Sequence, residues 1–496
     1  MKQAGFALFM LSCSLLAAPV QKCEDLASAS FGPEVKIESA KPIAAAANLP
    51  EHCDVRGVIW PEARFAVKLP AAWNNRFEMV GGGGWAGNIS FGPMDTAVRG
   101  GYATTSTDTG HDAQKEPGAI FAFPSGANPH ALRKLIDHGY LAVHETALLA
   151  KKMIRAYYGT DPMYSYWVGC STGGRQGLME AQRYPEDFDG YVVGAPVLNL
   201  TGLQSKSIYN FQFAGSGPGQ IRAEKVPALT KAFLDKCDAR DGVKDGLVEN
   251  PMRCGFDPAR DLPRCAADTE TATCFTGAQI ESLKKIYDGV RDAKGNLMYP
   301  GMPPGGDGAA SNGFGLAETF MKFAAFDPAP GPAWDYRTFN VDTDWPREAR
   351  TASIVNATLP DLSAVKARGG KVLHYHGWSD PGVSPLMSID YHNAVSKVMG
   401  AEETDAFYRL FLVPGMGHCQ GGPGCGNVDW LAPMVSWVEK GIAPAMLTGA
   451  HIEGGKTTRT RPICAYPDEA RYKGAGSIDE AGNFSCEAPR AVAAAR

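Results

Sequence analysis

The sequence predicts an α/β protein whose sheet domain is interrupted by a large insertion, and three observations carry that expectation. Short β-branched and aromatic runs alternate with helical periodicity up to about residue 197. From about Leu198 to Lys366 the alternation stops, and glycine- and proline-rich runs such as YPGMPPGGDGAASNGFG (299–315) stand among polar helical pieces. It resumes with KVLHYHGWSD (371–380) and runs on to a final helix. The division expected is a leader over 1–18, a sheet domain in two parts (19–197 and 367–496), and a domain-sized insertion over 198–366.

The leader MKQAGFALFMLSCSLLAAPV has one lysine, an apolar run from Phe6 to Leu16 and then small residues. That is an export signal, cleaved near Ala17 or Ala18, and it places the mature chain in a secreted or periplasmic setting. RFAVKLP (64–70) and RFEMV (76–80) alternate as strands, GGGG (81–84) ends the second, and YATTSTDTG (102–110) reads as a third. Val143, Ala147, Ala150, Ile154 and Tyr157 fall at helical spacing, with Gly159 as a stop. YSYWVGC (164–170) is a strand, RQGLMEAQRYP (175–185) a helix closed by Pro185, and GYVVGAP (190–196) a buried strand. Beyond the insertion come a helix near 385–399, the strand in AFYRLFLVPGMGH (406–418), and a helix presenting Leu431, Met434, Val435 and Val438. Such alternation predicts a parallel sheet.

Composition narrows the partners. The 496 residues are 44% hydrophobic and 20% charged with a net charge of −5, so neither a nucleic-acid footprint nor a basic membrane patch is present. No run of about 18 apolar residues suggests a membrane span. A small molecule is the expected partner.

Of 12 cysteines, eight beyond Cys13 sit as local pairs: Cys23 and Cys53, Cys237 and Cys254, Cys265 and Cys274, Cys464 and Cys486. None has C-x-x-C spacing, so disulfides are expected rather than zinc or redox sites. Cys170, Cys419 and Cys425 remain, an odd number that leaves one thiol unpaired.

The chemistry centres on Gly169-Cys170-Ser171-Thr172-Gly173, a G-x-S-x-G string between a predicted strand and a predicted helix. There a serine hydroxyl is exposed on a tight turn; the competing reading is a glycine-rich turn whose serine only caps the helix. A serine nucleophile needs a base, and the base an acid to hold its tautomer. Asp380 and His418 follow in the order serine, acid, histidine, each just beyond a predicted strand. His111 is the weaker rival for the base, and Asp390 falls within a helix; His374 and His376 lie inside a strand and read as packed or hydrogen-bonded. The oxyanion donors expected are the backbone N–H of Thr172 and one from the GGGGW run (81–85), assigned to Gly83. A phosphate loop is the alternative for that run, but it lacks G-K-[ST]. If Ser171 and His418 approach each other, Cys170 and Cys419 must also be close, at a separation a disulfide spans; Cys425 is the competitor.

These residues resemble the tannase/feruloyl esterase family of α/β-hydrolases, which also includes an esterase acting on mono(hydroxyethyl) terephthalate. The resemblance runs from GGGGW through GCSTGGRQG, HGWSDPGVSP and PGMGHC to RPICAYP. It implies a triad of Ser171, Asp380 and His418, a Cys170–Cys419 disulfide, and a lid formed by 198–366. It also bears on CDARDGVKDG (237–246), whose crowded aspartates would otherwise fit a solvated acidic turn equally well. Family members that bind calcium imply a structural Ca2+ held by Asp238, Asp241 and Asp245 with the carbonyls of Val243 and Leu247. The expected activity is hydrolysis of aromatic (phenolic) acid esters through an acyl-enzyme, most nearly of feruloyl esterase type. Tannase or terephthalate half-ester hydrolase is the alternative within the family. A non-catalytic binding protein on the same scaffold is the alternative outside it, and a peptidase a further one within the fold.

Overall fold

The computed structural model describes residues 17–306 and 313–489. The leader therefore lies outside the described residues except for Ala17 and Ala18. Among the described residues, no helix is long and apolar enough to cross a membrane.

Fifteen strands form in chain order. They are β1 (Val35–Ile43), β2 (His52–Ile59), β3 (Ala63–Pro70), β4 (Arg76–Val80), β5 (Ala103–Thr107), β6 (Tyr164–Cys170) and β7 (Gly190–Gly194). Then follow β8 (Val290–Arg291), β9 (Leu297–Tyr299), β10 (Lys371–Gly377) and β11 (Tyr408–Val413). The last four are β12 (Met446–Glu453), β13 (Lys456–Cys464), β14 (Glu469–Tyr472) and β15 (Phe484–Glu487). Nine build the main sheet in the order β1-β2-β3-β5-β4-β6-β7-β10-β11. From β5 to β11 every pairing is parallel, whereas β1/β2, β2/β3 and β3/β5 are antiparallel.

The sheet is thus mixed, which corrects the expectation of a parallel one. The reason is local. β2 and β3 are joined by only residues 60–62, too short for the crossover that a parallel pair needs. β1 is half-exposed and carries Lys36, Lys41 and Pro42, a composition suited to an edge strand that must not pair further.

Helices cover both faces of the sheet. Tyr166 and Trp167 are adjacent on β6 and point oppositely. Trp167 packs with Ile154 and Leu178, from the helices Ala142–Tyr158 and Thr172–Arg183. Tyr166 packs with Met434, from the helix Leu431–Lys440. The helix over 142–158 ends at Gly159 with φ 77°, the left-handed stop that glycine supplies.

Between β7 and β10 the chain contributes no strand to the main sheet; it builds one apolar cluster of its own and shares a second with Trp85, Phe121 and Leu135. Trp85, at the end of the glycine run, stacks on Phe320 of this insertion with ring centroids 5.7 Å apart. Among the described residues there are five disulfides: Cys23–Cys53, Cys170–Cys419, Cys237–Cys254, Cys265–Cys274 and Cys464–Cys486. Cys425 is the unpaired thiol, and it is buried. Five disulfides fit an oxidising compartment.

Candidate active site

The turn from β6 into the helix Thr172–Arg183 holds Ser171 at φ 61°, ψ −121°, a backbone region that non-glycine residues rarely occupy. The surrounding bonds hold that conformation. Ser171 N–H donates to the Gly194 carbonyl at 2.9 Å, and the Ser171 carbonyl accepts from Arg175 N–H at 3.0 Å. The glycines are needed for space. A Cβ on Gly169 would lie 2.6 Å from the Gly173 carbonyl, and one on Gly174 would lie 2.3 Å from that of Gly194.

Asp380 and His418 come from the loops that follow β10 and β11. These loops pack backbone to backbone: a Cβ on Gly377 would lie 2.2 Å from the Met416 carbonyl. His418 Nδ1 stands 2.6 Å from Asp380 Oδ2. A carboxylate only accepts, so Nδ1 carries the proton and Nε2 is left free to accept one. Asp380 is fully buried, and its Oδ1 accepts the N–H groups of Gly382 and Val383, each at 2.9 Å. Burial alone would push its pKa up, but hydrogen bonds from His376 and His418 outweigh burial and hold it well below the usual carboxylate range.

Ser171 and His418 line one cavity of about 250 Å³. Its walls are mostly apolar: Trp85, Val197, Leu200, Leu203, Leu316 and Val383, with Gln204 and Ser207 as polar side chains. Thr172 also lines it, and as the first residue of its helix its N–H has no intrahelical acceptor. Of the glycine run, Gly84 stands on the cavity wall, one residue beyond the expected Gly83. The Gly83 carbonyl accepts from Ala86 N–H at 2.8 Å, and Thr172 Oγ1 donates to the Gly84 carbonyl, so the run is tied to the serine turn. His111 is buried against Phe121, and burial lowers its pKa to about 4. It does not line the cavity. His376, expected to be packed or hydrogen-bonded within its strand, meets Asp380 Oδ2 at 3.2 Å, the same oxygen that His418 meets; the sequence did not show that this partner is the acid.

The acidic loop lies apart from this cavity. Asp238 Oδ1 accepts from Asp245 and Gly246 N–H, Asp241 from Val243 and Glu249 N–H, and Asp245 Oδ1 from Leu247 N–H, all at 3.0–3.1 Å. Gly242 at φ 105° and Gly246 at φ 80° let the loop wrap. Asp241, Val243, Asp245, Leu247 and Glu249 wall a small cavity of about 20 Å³. Arg461 pairs with Asp245, and burial pushes the Asp241 pKa up to about 6, with Asp245 and Asp238 adding to the rise. Cys425 also reaches this cavity, but burial pushes its thiol up to about 11, so it stays protonated. The oxygens facing this cavity come from Asp241, Val243, Asp245, Leu247 and Glu249, the kind a hard cation takes, but the Arg461 guanidinium shares the cavity and Asp238 lies outside its lining.

Residues 48–319 and 329–487 match the family described as tannase and feruloyl esterase. A mono(2-hydroxyethyl) terephthalate hydrolase from Piscinibacter sakaiensis is 34% identical, over 91% of this chain and 87% of that protein. The crystal structure of feruloyl esterase B from Aspergillus oryzae superposes with a TM-score of 0.86 at 27% identity, covering 94% of this chain and 99% of that one. The tannin acyl hydrolase from Aspergillus niger, at 23% identity and a TM-score of 0.73 over 93% of each chain, shares the fold. The chain belongs to the tannase and feruloyl esterase family and is a carboxylic ester hydrolase on an α/β-hydrolase fold.

Proposed function

We propose that this chain is an exported serine esterase that hydrolyses esters of neutral phenolic acids, of feruloyl esterase type. The observation that carries the reading is the shared cavity of Ser171 and His418, with Asp380 hydrogen-bonded behind the histidine. Ser171 Oγ attacks the ester carbonyl carbon while His418 Nε2 takes its proton. The tetrahedral oxyanion is held by the Thr172 N–H and by backbone N–H groups of the Gly83–Gly84 turn. The intermediate collapses, and His418 returns the proton to the leaving alcohol. Water, deprotonated by His418, then attacks the acyl-enzyme and releases the acid and Ser171 Oγ–H. Asp380 stays ionised throughout and stabilises the imidazolium.

The cavity wall favours a neutral acyl group. None of its lining residues is lysine or arginine, so a terephthalate carboxylate would be buried without a partner, at a cost of several kcal/mol. An aromatic ring with hydroxyl or methoxy groups fits apolar walls with two polar side chains, Gln204 and Ser207.

A structural Ca2+ held by Asp238, Asp241 and Asp245, with the carbonyls of Val243 and Leu247, completes the proposal. Its chemistry there is to neutralise crowded carboxylates and hold the insertion's loop against the C-terminal strands. Export to a secreted or periplasmic location follows from the leader and the disulfides.

Ser171→Ala tests the catalytic reading. It should lower hydrolysis of methyl ferulate by about 10⁴-fold or more and abolish labelling by a fluorophosphonate. Retained turnover would sink the proposal.

A further inference from the structure

β10 carries two histidines on one face, His374 and His376, both fully buried. Ser388, from the helix Pro385–Met399, sits between them. Its Oγ lies 2.7 Å from His376 Nδ1 and 2.8 Å from His374 Nε2. His374 Nδ1 lies 2.7 Å from the Tyr408 hydroxyl. His376 Nε2 faces two acceptors, Asp380 Oδ2 at 3.2 Å and the Val383 carbonyl at 3.1 Å.

The protons follow by elimination. Carboxylate and carbonyl oxygens only accept, so His376 Nε2 carries a hydrogen. That Nε2–H faces Asp380, and in the neutral ring Nδ1 is the lone-pair nitrogen that accepts from Ser388. Ser388 has one hydrogen to give, so it accepts in turn from His374 Nε2–H. His374 Nδ1 then accepts from Tyr408. Burial holds the His374 pKa well below its ordinary value, in keeping with a neutral ring. Four donors in series point toward Asp380, and each fixes the next.

We propose that His376, locked in its Nε2–H tautomer by Ser388, His374 and Tyr408, is a positioning residue that holds the Asp380 carboxylate in the orientation His418 requires. The inference rests on the serine esterase reading above. Asp380 Oδ1 is occupied by two backbone N–H groups, so Oδ2 is the atom shared between His418 at 2.6 Å and His376 at 3.2 Å. His376 therefore decides how Oδ2 meets the base. It also draws charge from Oδ2, so that less of the carboxylate's charge acts on the His418 proton. The other ionisable groups facing Asp380 are Lys206, from the helix Leu200–Ala214, and Tyr299, from β9. Lys206 Nζ donates to the Gly382 carbonyl at 3.0 Å, and both groups remain in every variant below.

The test compares His376→Leu with His376→Gln in methyl ferulate hydrolysis, reading kcat, KM and the acid limb of kcat/KM. The leucine variant should lose about 10- to 100-fold in kcat with KM within about twofold. Its acid limb should move to higher pH, because Oδ2, with one donor fewer, holds the His418 proton more tightly. Glutamine offers a neutral N–H and should recover most of both. A leucine variant with wild-type kcat and limb overturns the proposal, as does a glutamine variant no better than leucine. If His376→Leu does not fold, Ser388→Ala decides: the limb should move the same way, and an unmoved limb refutes the chain. Ser171→Ala in the same assay separates the two readings. Hydrolysis surviving there removes the esterase reading itself, whereas a dead Ser171→Ala beside an unimpaired His376→Leu removes only this inference.

Discussion

Cys170 and Cys419 are bonded across 249 residues of sequence with Cα atoms 5.9 Å apart, and each is the immediate neighbour of a candidate catalytic residue. Ser171 and His418 thus hang from one covalent bridge. The bridge also joins the two stretches of chain on either side of the insertion, so it opposes any separation of β6 from β11. Replacing both cysteines, Cys170→Ala with Cys419→Ala, should destabilise the fold by up to about 5 kcal/mol on the loop-closure estimate. Because the tie spans the reacting pair, kcat should fall as well while KM stays near wild type. Melting temperature and steady-state kinetics, the latter well below the melt, separate these effects. A lowered melting temperature with wild-type kcat would make the bridge a fold staple only.

Buried carboxyls outside the triad, Glu78 and Glu348 among them, give stability a slope with pH. Burial raises Glu78 to about 8, and it raises Glu348 to about 8 even though Ser205 Oγ donates to it. Unfolded, each titrates near 4.3, so between about 4.3 and 8 the folded state holds a proton that the unfolded state has lost. Stability should therefore fall as pH rises through that window, by about 1.4 kcal/mol per pH unit for each group. Asp380 works the other way. Its depressed pKa contributes stability above about pH 4 that is lost in stronger acid. Denaturant melts between pH 5 and 8 should show the slope, and Glu78→Gln with Glu348→Gln should make it shallower, with Glu249 and Asp108, also raised by burial, keeping part of it. An unchanged slope in the double variant would mean that these two carboxyls do not set it.

Much of the site was legible because each catalytic candidate follows a strand whose apolar run is unmistakable. YSYWVGC, KVLHYHG and YRLFLV announce β6, β10 and β11, and Ser171, Asp380 and His418 lie one to five residues past their ends. Less visible was the antiparallel edge. VKIESAKPI and HCDVRGVI mix charge into the strand pattern, since β1 is half-exposed and Arg56 pairs with Asp54 on the same strand. β13 escaped for the same reason, since KTTRTRPIC is rich in Thr, Arg and Lys. His374 and His376 read as core because alternate residues of a buried strand face the core. Only the packing of the helix Pro385–Met399 brings Ser388 between them and turns two buried rings into a directed chain.

Calcium removal gives a third expectation. The loop from Asp238 to Leu247 joins the insertion to the C-terminal strands through Arg459 and Arg461, which bond Asp245, and Arg471, which bonds the Asp241 carbonyl. A cation held there, as proposed, would bind only the folded state. A concentration of 100 to 1,000 times its dissociation constant should contribute about 3–4 kcal/mol. A chelator should lower the melting temperature, and added Ca2+ should restore it, while kcat measured well below the melt stays the same. Asp241→Ala should melt at one temperature with or without Ca2+. A chelator-insensitive wild type would remove calcium from the loop.

The last expectation concerns the acyl group. With no lysine or arginine on the cavity wall, a substrate carrying a second carboxylate must either protonate it or leave it buried and unpaired. Methyl ferulate should therefore exceed mono(2-hydroxyethyl) terephthalate in kcat/KM by about 100-fold or more, the scale of a few kcal/mol for a buried unpaired charge. Gln204 is the means to reverse this. It lines the cavity from the helix Leu200–Ala214, is 5% exposed, and lies on the same wall as Leu200, Leu203 and Ser207. Gln204→Arg brings a guanidinium within reach of the acyl ring, so it should raise kcat/KM for the terephthalate half-ester and lower it for methyl ferulate. The ratio of the two substrates, rather than either rate, is the measurement that decides, because a variant that merely perturbs the fold lowers both. A ratio unchanged by Gln204→Arg would place the acyl group elsewhere than against this helix.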